Sequence, residues 1–309
     1  MRVVLFASGG AIPAEAVRAL RGTCDLVGVV RPRASVDARG PAWLARRVWH
    51  GARALARRSK QAGPETRDPL DSVIAESALP VWPMRGPNDP ALEARLRAAA
   101  VDVACIATFP WRLGASLLGA ARAGTLNVHT SLLPRHRGPT PLFWTYHADD
   151  REAGVTIHRA DSRMDAGPIV AQARLPLPRG HPVRTLHAEL AEVGASLLRD
   201  AVVSMAGGTA TLQAQDERLA TQAPRVQSGE RMLGEDWGAE RTWHFLAGLA
   251  GMYREPLWCD GREVRYREVP GYTGGSPLAV PGVVTRATTG PGWTLWCRDG
   301  GVTLLPDDA

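Results

Sequence analysis

Asn127 and His129 are the two side chains whose types and spacing point most directly to chemistry. They stand two positions apart at the end of a short apolar stretch, residues 126–129, which has the composition of a buried strand. Because side chains alternate between the two faces of a strand, both would lie on the same face. An amide donor and a titratable imidazole would then stand side by side at the mouth of a sheet, where they could hydrogen-bond to a carbonyl oxygen and move a proton.

A third candidate, Asp165, lies 36 residues beyond His129 (165 − 129 = 36), in the sequence MDAGP at 164–168. The pattern predicts a turn between two strands. Taken singly, each candidate has a simpler interpretation: a histidine satisfied by core hydrogen bonds, an asparagine that forms a turn and an aspartate that caps one. Only their occurrence together favours a catalytic interpretation.

The segment NVHTSLLPRHRG (127–138), followed by DAG (165–167), resembles the folate-dependent formyltransferases. The layout of the chain is most similar to the methionyl-tRNA formyltransferase branch, and the patterns GVTIH (154–158), QDE (215–217) and ATQAP (220–224) extend the resemblance. It implies transfer of a formyl group from 10-formyltetrahydrofolate to a primary amine, with no metal ion. It also implies that Asn127 and His129 donate to the reacting carbonyl oxygen, while Asp165 orients His129 and helps to move the proton of the amine.

The pocket for the formyl donor is expected from two loops. The first, ATFPWRL (107–113), stands where the family lines its folate pocket, and a flat pteridine ring needs an apolar slot with backbone hydrogen bonds. The alternative is that the aromatic side chains of this loop only anchor a strand–helix connection. The second loop follows His129. The residues assigned to donor binding are Phe109, Pro110, Trp111, Leu113, Ser131, Leu132, Leu133 and Pro134.

A basic segment at 39–64 contains no acidic residue, and its arginines are interspersed with Trp, Leu and Val. The pattern predicts an amphipathic helix. One interpretation is a helix that covers the sheet edge with a solvated charged face. The other is a surface for the acceptor or for nucleic acid, because guanidinium groups suit phosphate. Under the second interpretation, the acceptor-binding residues are Arg46, Arg53, Arg57 and, from the loop after His129, Arg137.

Two departures from the methionyl-tRNA branch leave the identity of the amine open. The long basic segment replaces a short glycine-containing loop, and MYREPLW (252–258) stands where that branch usually has Pro-Trp or Pro-Tyr followed by Pro-Gly-Ala. Initiator methionyl-tRNA is the first acceptor considered, and an amine of an aminosugar or a peptide-like natural product is the second. A third interpretation, a non-catalytic RNA-binding relative, is opposed by the joint presence of Asn127, His129 and Asp165.

The elements that must position these residues alternate between strands and helices. Helical spacing separates short apolar stretches rich in Val and Ile, near residues 3–7, 26–30, 79–82, 103–107 and 126–129. This alternation predicts an α/β fold with a doubly wound, Rossmann-like sheet that binds ligands at the carboxyl ends of its strands. The loop SGGAIP (8–13) lacks the glycine spacing of a dinucleotide site.

Two domains are predicted along the chain. Residues 1–206 would form the formyltransferase catalytic domain, with the folate and acceptor sites, and 207–222 a linker. Residues 223–309 would form a small β-rich domain that is β-barrel-like (OB-like), since short strands alternate with glycine-containing turns.

Composition sets broad limits on function. The 309-residue chain is 45% hydrophobic and 22% charged, as in ordinary globular proteins. Its net charge of +6 favours acidic partners such as nucleic acid or phosphorylated metabolites. No apolar run approaches the roughly 18 residues of a membrane span, and the four cysteines lack zinc or disulfide spacing. With no export signal, a cytoplasmic location is expected. The sequence does not predict an oligomeric state.

Overall fold

The structure is a computed structural model that describes residues 1–33, 68–227, 229–287 and 290–306. The basic segment at 39–64, with Arg46, Arg53 and Arg57, lies outside the described residues, so its predicted helix stays a prediction. Among the helices that are described, none combines the length and the apolar character that crossing a bilayer would require.

A seven-stranded sheet contains all the strands that are described in the first two-thirds of the chain. Its strands are β1 (Arg2–Ala7), β2 (Asp25–Pro32), β3 (Val81–Met84), β4 (Val103–Ala107), β5 (Thr125–His129), β6 (Glu152–Arg159) and β7 (Ile169–Pro176). Their order is β3-β2-β1-β4-β5-β6-β7. Strands β1 to β5 pair in parallel, whereas β5 and β6 are antiparallel. This order confirms the predicted doubly wound α/β sheet.

Seven α-helices lie in the described residues, and the starts of two are set by Asp-Pro pairs. The helices are α1 (Ala11–Arg21), α2 (Pro69–Glu76), α3 (Pro90–Ala98), α4 (Ala115–Leu118), α5 (Pro141–His147), α6 (Val183–Ala206) and α7 (Ala239–Gly248). Asp68 and Asp89 accept hydrogen bonds from N–H groups in the first turns of α2 and α3. Each is followed by a proline, whose fixed φ suits the first helical position. Such a cap contributes about 1 kcal/mol.

The strand order reverses between β1 and β4, and the loops that follow these two strands are joined there. The carbonyl of Thr108 accepts from the backbone N–H of Ser8 at 3.0 Å and from its hydroxyl at 2.5 Å. Gly9 and Gly10 have φ values of 144° and 97°, which favour glycine. A Cβ on Gly9 would lie 2.4 Å from the carboxylate of Asp68, which also accepts from the N–H of Gly10. These glycines therefore serve a tight turn.

The C-terminal part contains a four-stranded antiparallel sheet. The strands of the C-terminal part are β8 (Trp258–Cys259), β9 (Arg262–Glu263), β10 (Tyr266–Gly274), β11 (Val284–Arg286), β12 (Trp293–Cys297) and β13 (Gly300–Pro306), and the last four form this sheet. The order is β10-β13-β12-β11, with β8 and β9 as a separate pair. Helix α7 packs on β10, β12 and β13. The predicted β-rich character of this part is confirmed as an antiparallel sheet.

The chain divides into two compact units whose residues alternate along the sequence. The first contains Met1–His129, Thr156–Gln172 and Leu190–Gln215, and the second contains Thr130–Val155, Ala173–Glu189 and Asp216–Ala309. This division differs from the linear one predicted from the sequence. Residues up to Gln215, in the predicted linker, belong to the first unit. The linear boundaries at 206 and 223 therefore remain a prediction.

Candidate active site

Strand β5 carries the first two candidate residues, which alternate with its apolar side chains along the strand. Leu126 and Val128 are buried, and Asn127 and His129 occupy the alternate positions. On the antiparallel neighbour β6, His158 stands directly opposite Asn127. Directly opposed side chains share a face of the sheet and lie about 4.5–5.5 Å apart at Cβ. The register of β5 and β6 therefore adds His158 to the predicted pair.

The structure brings Asn127, His129 and Asp165 together. Asp165 Oδ2 lies 3.7 Å from Nδ1 of His129, within ion-pair range but longer than a hydrogen bond. Asn127 Nδ2 donates to Asp165 Oδ1 at 3.3 Å. The side chains of His129 and Asp165 are only 6% and 12% exposed. A buried carboxylate beside an imidazole and an amide can hold a proton on the ring and keep a donor aimed at a nearby oxygen.

His158 is the site residue that sequence reasoning did not single out. Its Nε2 lies 3.0 Å from Nδ2 of Asn127 and 3.6 Å from Asp165 Oδ1, and its side chain is 2% exposed. The only signal in the sequence was its place at the end of the pattern GVTIH (154–158), which extends the family resemblance. Finding it required the pairing register of β5 and β6, which local spacing does not contain.

The hydrogen bonds of His158 assign its tautomer. An amide nitrogen can only donate, so His158 Nε2 accepts from Asn127. His158 Nδ1 lies 3.3 Å from the carbonyl oxygen of Arg159 and therefore carries the ring proton. Asn127 Nδ2 then gives one hydrogen to His158 and the other to Asp165. For Asn127 to donate to a substrate oxygen, one of these bonds must open, and the 3.3 Å bond to Asp165 is the longer.

Asp165 sits in a turn with unusual backbone geometry. Its φ of 48° lies in the left-handed region, which aspartate tolerates better than most residues. Gly167 follows at a close approach, because a Cβ there would lie 1.8 Å from the carbonyl oxygen of Arg159. A glycine is therefore required two residues after Asp165, and this explains the D-x-G spacing in physical terms.

The predicted donor loop after β4 lies at the point where the strand order reverses. Phe109 packs edge-on against Phe6 at 5.6 Å and against Trp111 at 6.0 Å, and both loop aromatics pack partly exposed against the core. Leu113 is buried, whereas Pro110 is exposed. These contacts agree with the anchoring interpretation of the aromatics. Their exposed parts leave donor binding by this loop as a prediction, at the place where doubly wound sheets bind ligands.

The second predicted donor loop, residues 131–134, belongs to the second unit. Ser131 is buried and its hydroxyl donates to the carbonyl of Arg135 at 2.7 Å, which holds the loop. Leu133 is also buried, and Leu132 and Pro134 are partly exposed. The packing of Leu132 leaves no space for a side chain at Gly154, where a Cβ would lie 2.2 Å away. Donor binding by these four residues remains a prediction.

Arg137, predicted to bind the acceptor, is engaged within the chain. Its guanidinium donates to the two carboxylate oxygens of Glu217 at 2.7 and 3.2 Å, and its side chain is 6% exposed. Its backbone N–H donates to Thr221, and its carbonyl accepts from Ala223. These bonds fasten the loop after β5 to the segment 217–223. Acceptor binding by Arg137 remains a prediction.

Over the residues that the structure describes, no group of three or more His, Cys, Asp and Glu side chains is placed to hold a metal ion.

Comparison with known proteins gives the class of this chain. The profile of a family described as formyl transferase matches residues 51–202. The chain is 34% identical to the methionyl-tRNA formyltransferase of Methylobacillus flagellatus over 170 residues, which cover 55% of this chain and 54% of that protein. It is 32% identical to the methionyl-tRNA formyltransferase of Deinococcus radiodurans over 242 residues, 77% of this chain and 74% of that protein.

A solved structure shares the fold. The N-formyltransferase of Helicobacter canadensis, in complex with folinic acid and dTDP-3-aminofucose, superposes with a TM-score of 0.66 and covers 99% of each chain. Its sequence is 13% identical, so this likeness concerns the fold alone. The chain belongs to the formyl transferase family. Within that family the match to the Methylobacillus flagellatus protein, named methionyl-tRNA formyltransferase, spans about half of that relative's length.

Proposed function

We propose that this protein transfers a formyl group from 10-formyltetrahydrofolate to a primary amine. The observation that carries the proposal is the convergence of Asn127, His129 and Asp165, with Asp165 oxygens 3.3 Å from the amide and 3.7 Å from the imidazole. In the overall reaction the amine nitrogen bonds to the formyl carbon, and the bond from that carbon to the donor nitrogen breaks. One proton passes from the amine to the donor nitrogen.

Each of the three side chains has a role suited to its chemistry. Negative charge develops on the formyl oxygen, and the Asn127 amide and the His129 imidazole are the donors that would share it. Asp165 keeps a proton on the His129 ring and accepts the proton of the attacking amine, directly or through water. The bond between Asn127 and Asp165 is the one expected to open when the formyl oxygen arrives, because it is the longer of the two amide bonds.

Methionyl-tRNA is the first acceptor that we propose. The support is the identity with proteins named methionyl-tRNA formyltransferase, one of them covered over 74% of its length. Charge adds a condition. Residues 34–67 contain eight Arg or Lys and two Asp or Glu (8 − 2 = +6), which equals the net charge of the whole chain. Phosphate contacts of a tRNA would therefore have to draw mainly on this segment.

An amine of a sugar nucleotide is the second acceptor, and the charge of the C-terminal part favours it. Residues 223–309 contain nine Arg and eleven Asp or Glu (9 − 11 = −2), so this part offers no excess positive charge to a nucleic acid. Two of its arginines are paired with neighbouring carboxylates, Arg265 with Glu263 and Arg267 with Glu268. The solved relative with dTDP-3-aminofucose binds such an amine.

Calorimetry with 5-formyltetrahydrofolate, a stable mimic of the donor, tests the proposed chemistry. We expect saturable binding, and no binding at about 1 mM ligand, the limit of roughly −4 kcal/mol, would contradict the proposal. A transfer assay then presents methionyl-tRNA and an aminosugar nucleotide in parallel with the true donor. The preferred acceptor is the one with the larger kcat/KM, since that ratio measures discrimination between competing substrates.

A further inference from the structure

The turn that presents Asp165 is held by a side chain 50 residues away. Gln215 Nε2 donates to the carbonyl oxygen of Asp165 at 2.9 Å and to that of Gly167 at 2.7 Å. Both acceptors belong to the D-x-G turn, and all these residues lie in the first compact unit. We propose that Gln215 is a positioning residue that fixes the Asp165 turn for catalysis. This inference rests on the proposed role of Asp165.

The amide of glutamine is chemically suited to this task. Its nitrogen carries two hydrogens and no lone pair for accepting, so a single atom can serve two carbonyl oxygens. A leucine of similar size would serve neither, and an ionised glutamate would face both carbonyls with lone pairs only. A buried or half-buried acceptor left without a donor costs about 1–3 kcal/mol. The turn would avoid that cost by rearranging.

The main chain next to Gln215 is also tied to the end of the same turn. Ile169 and Gln213 exchange two backbone hydrogen bonds, of 2.8 and 2.9 Å. The segment 213–215 therefore runs beside the turn and its following strand, and it brings the Gln215 amide to a fixed place. The side chain of Gln213 itself is exposed. Backbone pairing supplies the location, and the Gln215 side chain supplies the contact with the turn.

The placement of Asp165 depends on this support because its backbone is in a sparsely populated conformation. A residue with a φ of 48° persists there when its surroundings over-determine it. A peptide rotation at the turn would swing the carboxylate away from Asn127 and His129, which it meets at 3.3 and 3.7 Å. A misplacement of about 1 Å in a catalytic group can cost about a hundredfold in rate.

The kinetic test compares Gln215→Leu with the matched control Gln213→Leu, a glutamine two residues earlier with an exposed side chain. We expect Gln215→Leu to lower kcat by about tenfold to a hundredfold, with each KM changed by less than about threefold. Gln213→Leu should keep the wild-type kcat within about twofold. In an Asp165→Ala background, Gln215→Leu should add less than about twofold, because two residues that act as a unit are non-additive.

A pH profile separates a hydrogen-bonding role of the Gln215 side chain from a simple packing role. In Gln215→Glu, a protonated carboxyl can donate one hydrogen bond to the turn, whereas the ionised form can donate none. The ratio of its kcat to that of the wild type should therefore fall as pH rises through the range in which a glutamate ionises, from about 4.3 upward. A simple packing role predicts a constant ratio.

Hydrogen exchange of the backbone amides at 165–167 makes the test independent of turnover. Faster exchange in Gln215→Leu than in Gln213→Leu is expected if the amide holds the turn. Unchanged exchange, a kcat equal to that of Gln213→Leu, or a full additional loss in the Asp165→Ala background would each overturn the inference. If the wild type itself transfers formyl to no amine, the proposed function fails, and hydrogen exchange still decides whether Gln215 holds the turn.

Discussion

Asn127 and His158 occupy directly opposed positions on antiparallel strands, and Nδ2 of the amide lies 3.0 Å from Nε2 of the imidazole. The imidazole accepts and the amide donates, so the ring fixes which way the amide faces. An asparagine amide can otherwise rotate by 180° and exchange its donor for an acceptor. His158 therefore keeps the amide nitrogen of Asn127, rather than its oxygen, on the side of Asp165.

Replacing His158 should reduce turnover through Asn127. His158→Leu removes the acceptor, and we expect kcat to fall by about tenfold or more, as for partners that orient a functional side chain. His158→Gln can place an amide oxygen near the former Nε2 and should recover part of the rate. The measurement is steady-state kinetics of both variants. His187→Leu, a change at a half-buried histidine of α6, is the control, and equal losses in all three variants would count against the orienting role.

Removing any one of the three converging side chains should abolish most turnover while leaving the fold intact. Asn127→Ala, His129→Ala and Asp165→Ala are expected to lower kcat by about a hundredfold or more, because each removes a donor or the charge that supports it. Urea unfolding and circular dichroism check that the variants fold. Asn88→Ala, at an exposed asparagine, is the matched control. A near-full rate in Asp165→Ala would withdraw its assigned role.

A buried histidine of α7 should make stability depend on pH. His244 is fully buried, its Nδ1 accepts from the N–H of Gly180 at 2.9 Å, and its ring stacks on Tyr146. Burial, with a smaller contribution from Arg179, lowers its pKa to about 4. The unfolded chain, with a pKa near 6.5, then binds the proton first as pH falls. The stabilisation is therefore fully present above about pH 6.5 and is lost as pH falls toward 4.

Urea unfolding at pH 7.5 and pH 5 measures this linkage. On going from pH 7.5 to pH 5, the unfolding free energy of the wild type should fall by roughly 2 kcal/mol more than that of a variant without the ring. His244→Asn keeps an acceptor for the N–H of Gly180 and removes the titrating group, so its stability should change less over the same range. Parallel curves for the two proteins would refute the assignment.

The basic segment should reveal the acceptor through its salt dependence. If the acceptor is tRNA, replacing Arg46, Arg53 and Arg57 with Gln should weaken tRNA binding evenly across sequences. The log–log salt slope should fall by up to about one for each phosphate that is deprived of its arginine. Affinity for 5-formyltetrahydrofolate should stay unchanged. If the acceptor is a small amine, tRNA binding should not respond, and the KM of that amine should rise.

The matched control changes three exposed arginines of the C-terminal part, Arg262, Arg265 and Arg267, to Gln. It removes the same charge from a region whose net charge is already negative. A salt slope that falls equally in both triple variants would show a general charge effect and contradict a specific role for the basic segment. A basic-segment variant equal to the wild type in both assays would support the solvated helix face.

Much of the sheet could be predicted because its strands are short apolar stretches between charges or turns. Strand β4 was predicted with its observed bounds, since its apolar residues follow Asp102. Between β4 and β5 the helical segment is confined to Ala115–Leu118, because Gly114 and Gly119 flank it and glycine disfavours helix. Helix α7 was not predicted, since Thr242 and His244 interrupt the apolar residues of its buried face.

Some contacts of the candidate site could likewise be predicted from local sequence spacing, whereas others depend on the tertiary fold. The spacing of Asn127 and His129 predicts a shared face, because a strand has a two-residue period. The contacts of His158 and Gln215 depend on strand register and on hydrogen bonds between residues far apart in the chain. The same holds for Arg137, whose pairing with Glu217 joins residues 80 positions apart, while its predicted acceptor binding stays a prediction. No local pattern contains the position of that partner.

The interleaving of the two compact units has a consequence for synthesis on the ribosome. The first unit is complete only when the chain has been made as far as Gln215, which comes 50 residues after Asp165 (215 − 165 = 50). At a synthesis rate of about 5–20 residues per second, Gln215 is made roughly 3–10 s after the D-x-G turn to which it donates hydrogen bonds. A chain released near residue 206, at the end of α6, would contain Asn127, His129 and Asp165 but would lack Gln215. The shortest nascent chain in which the D-x-G turn is ordered should therefore extend beyond Gln215.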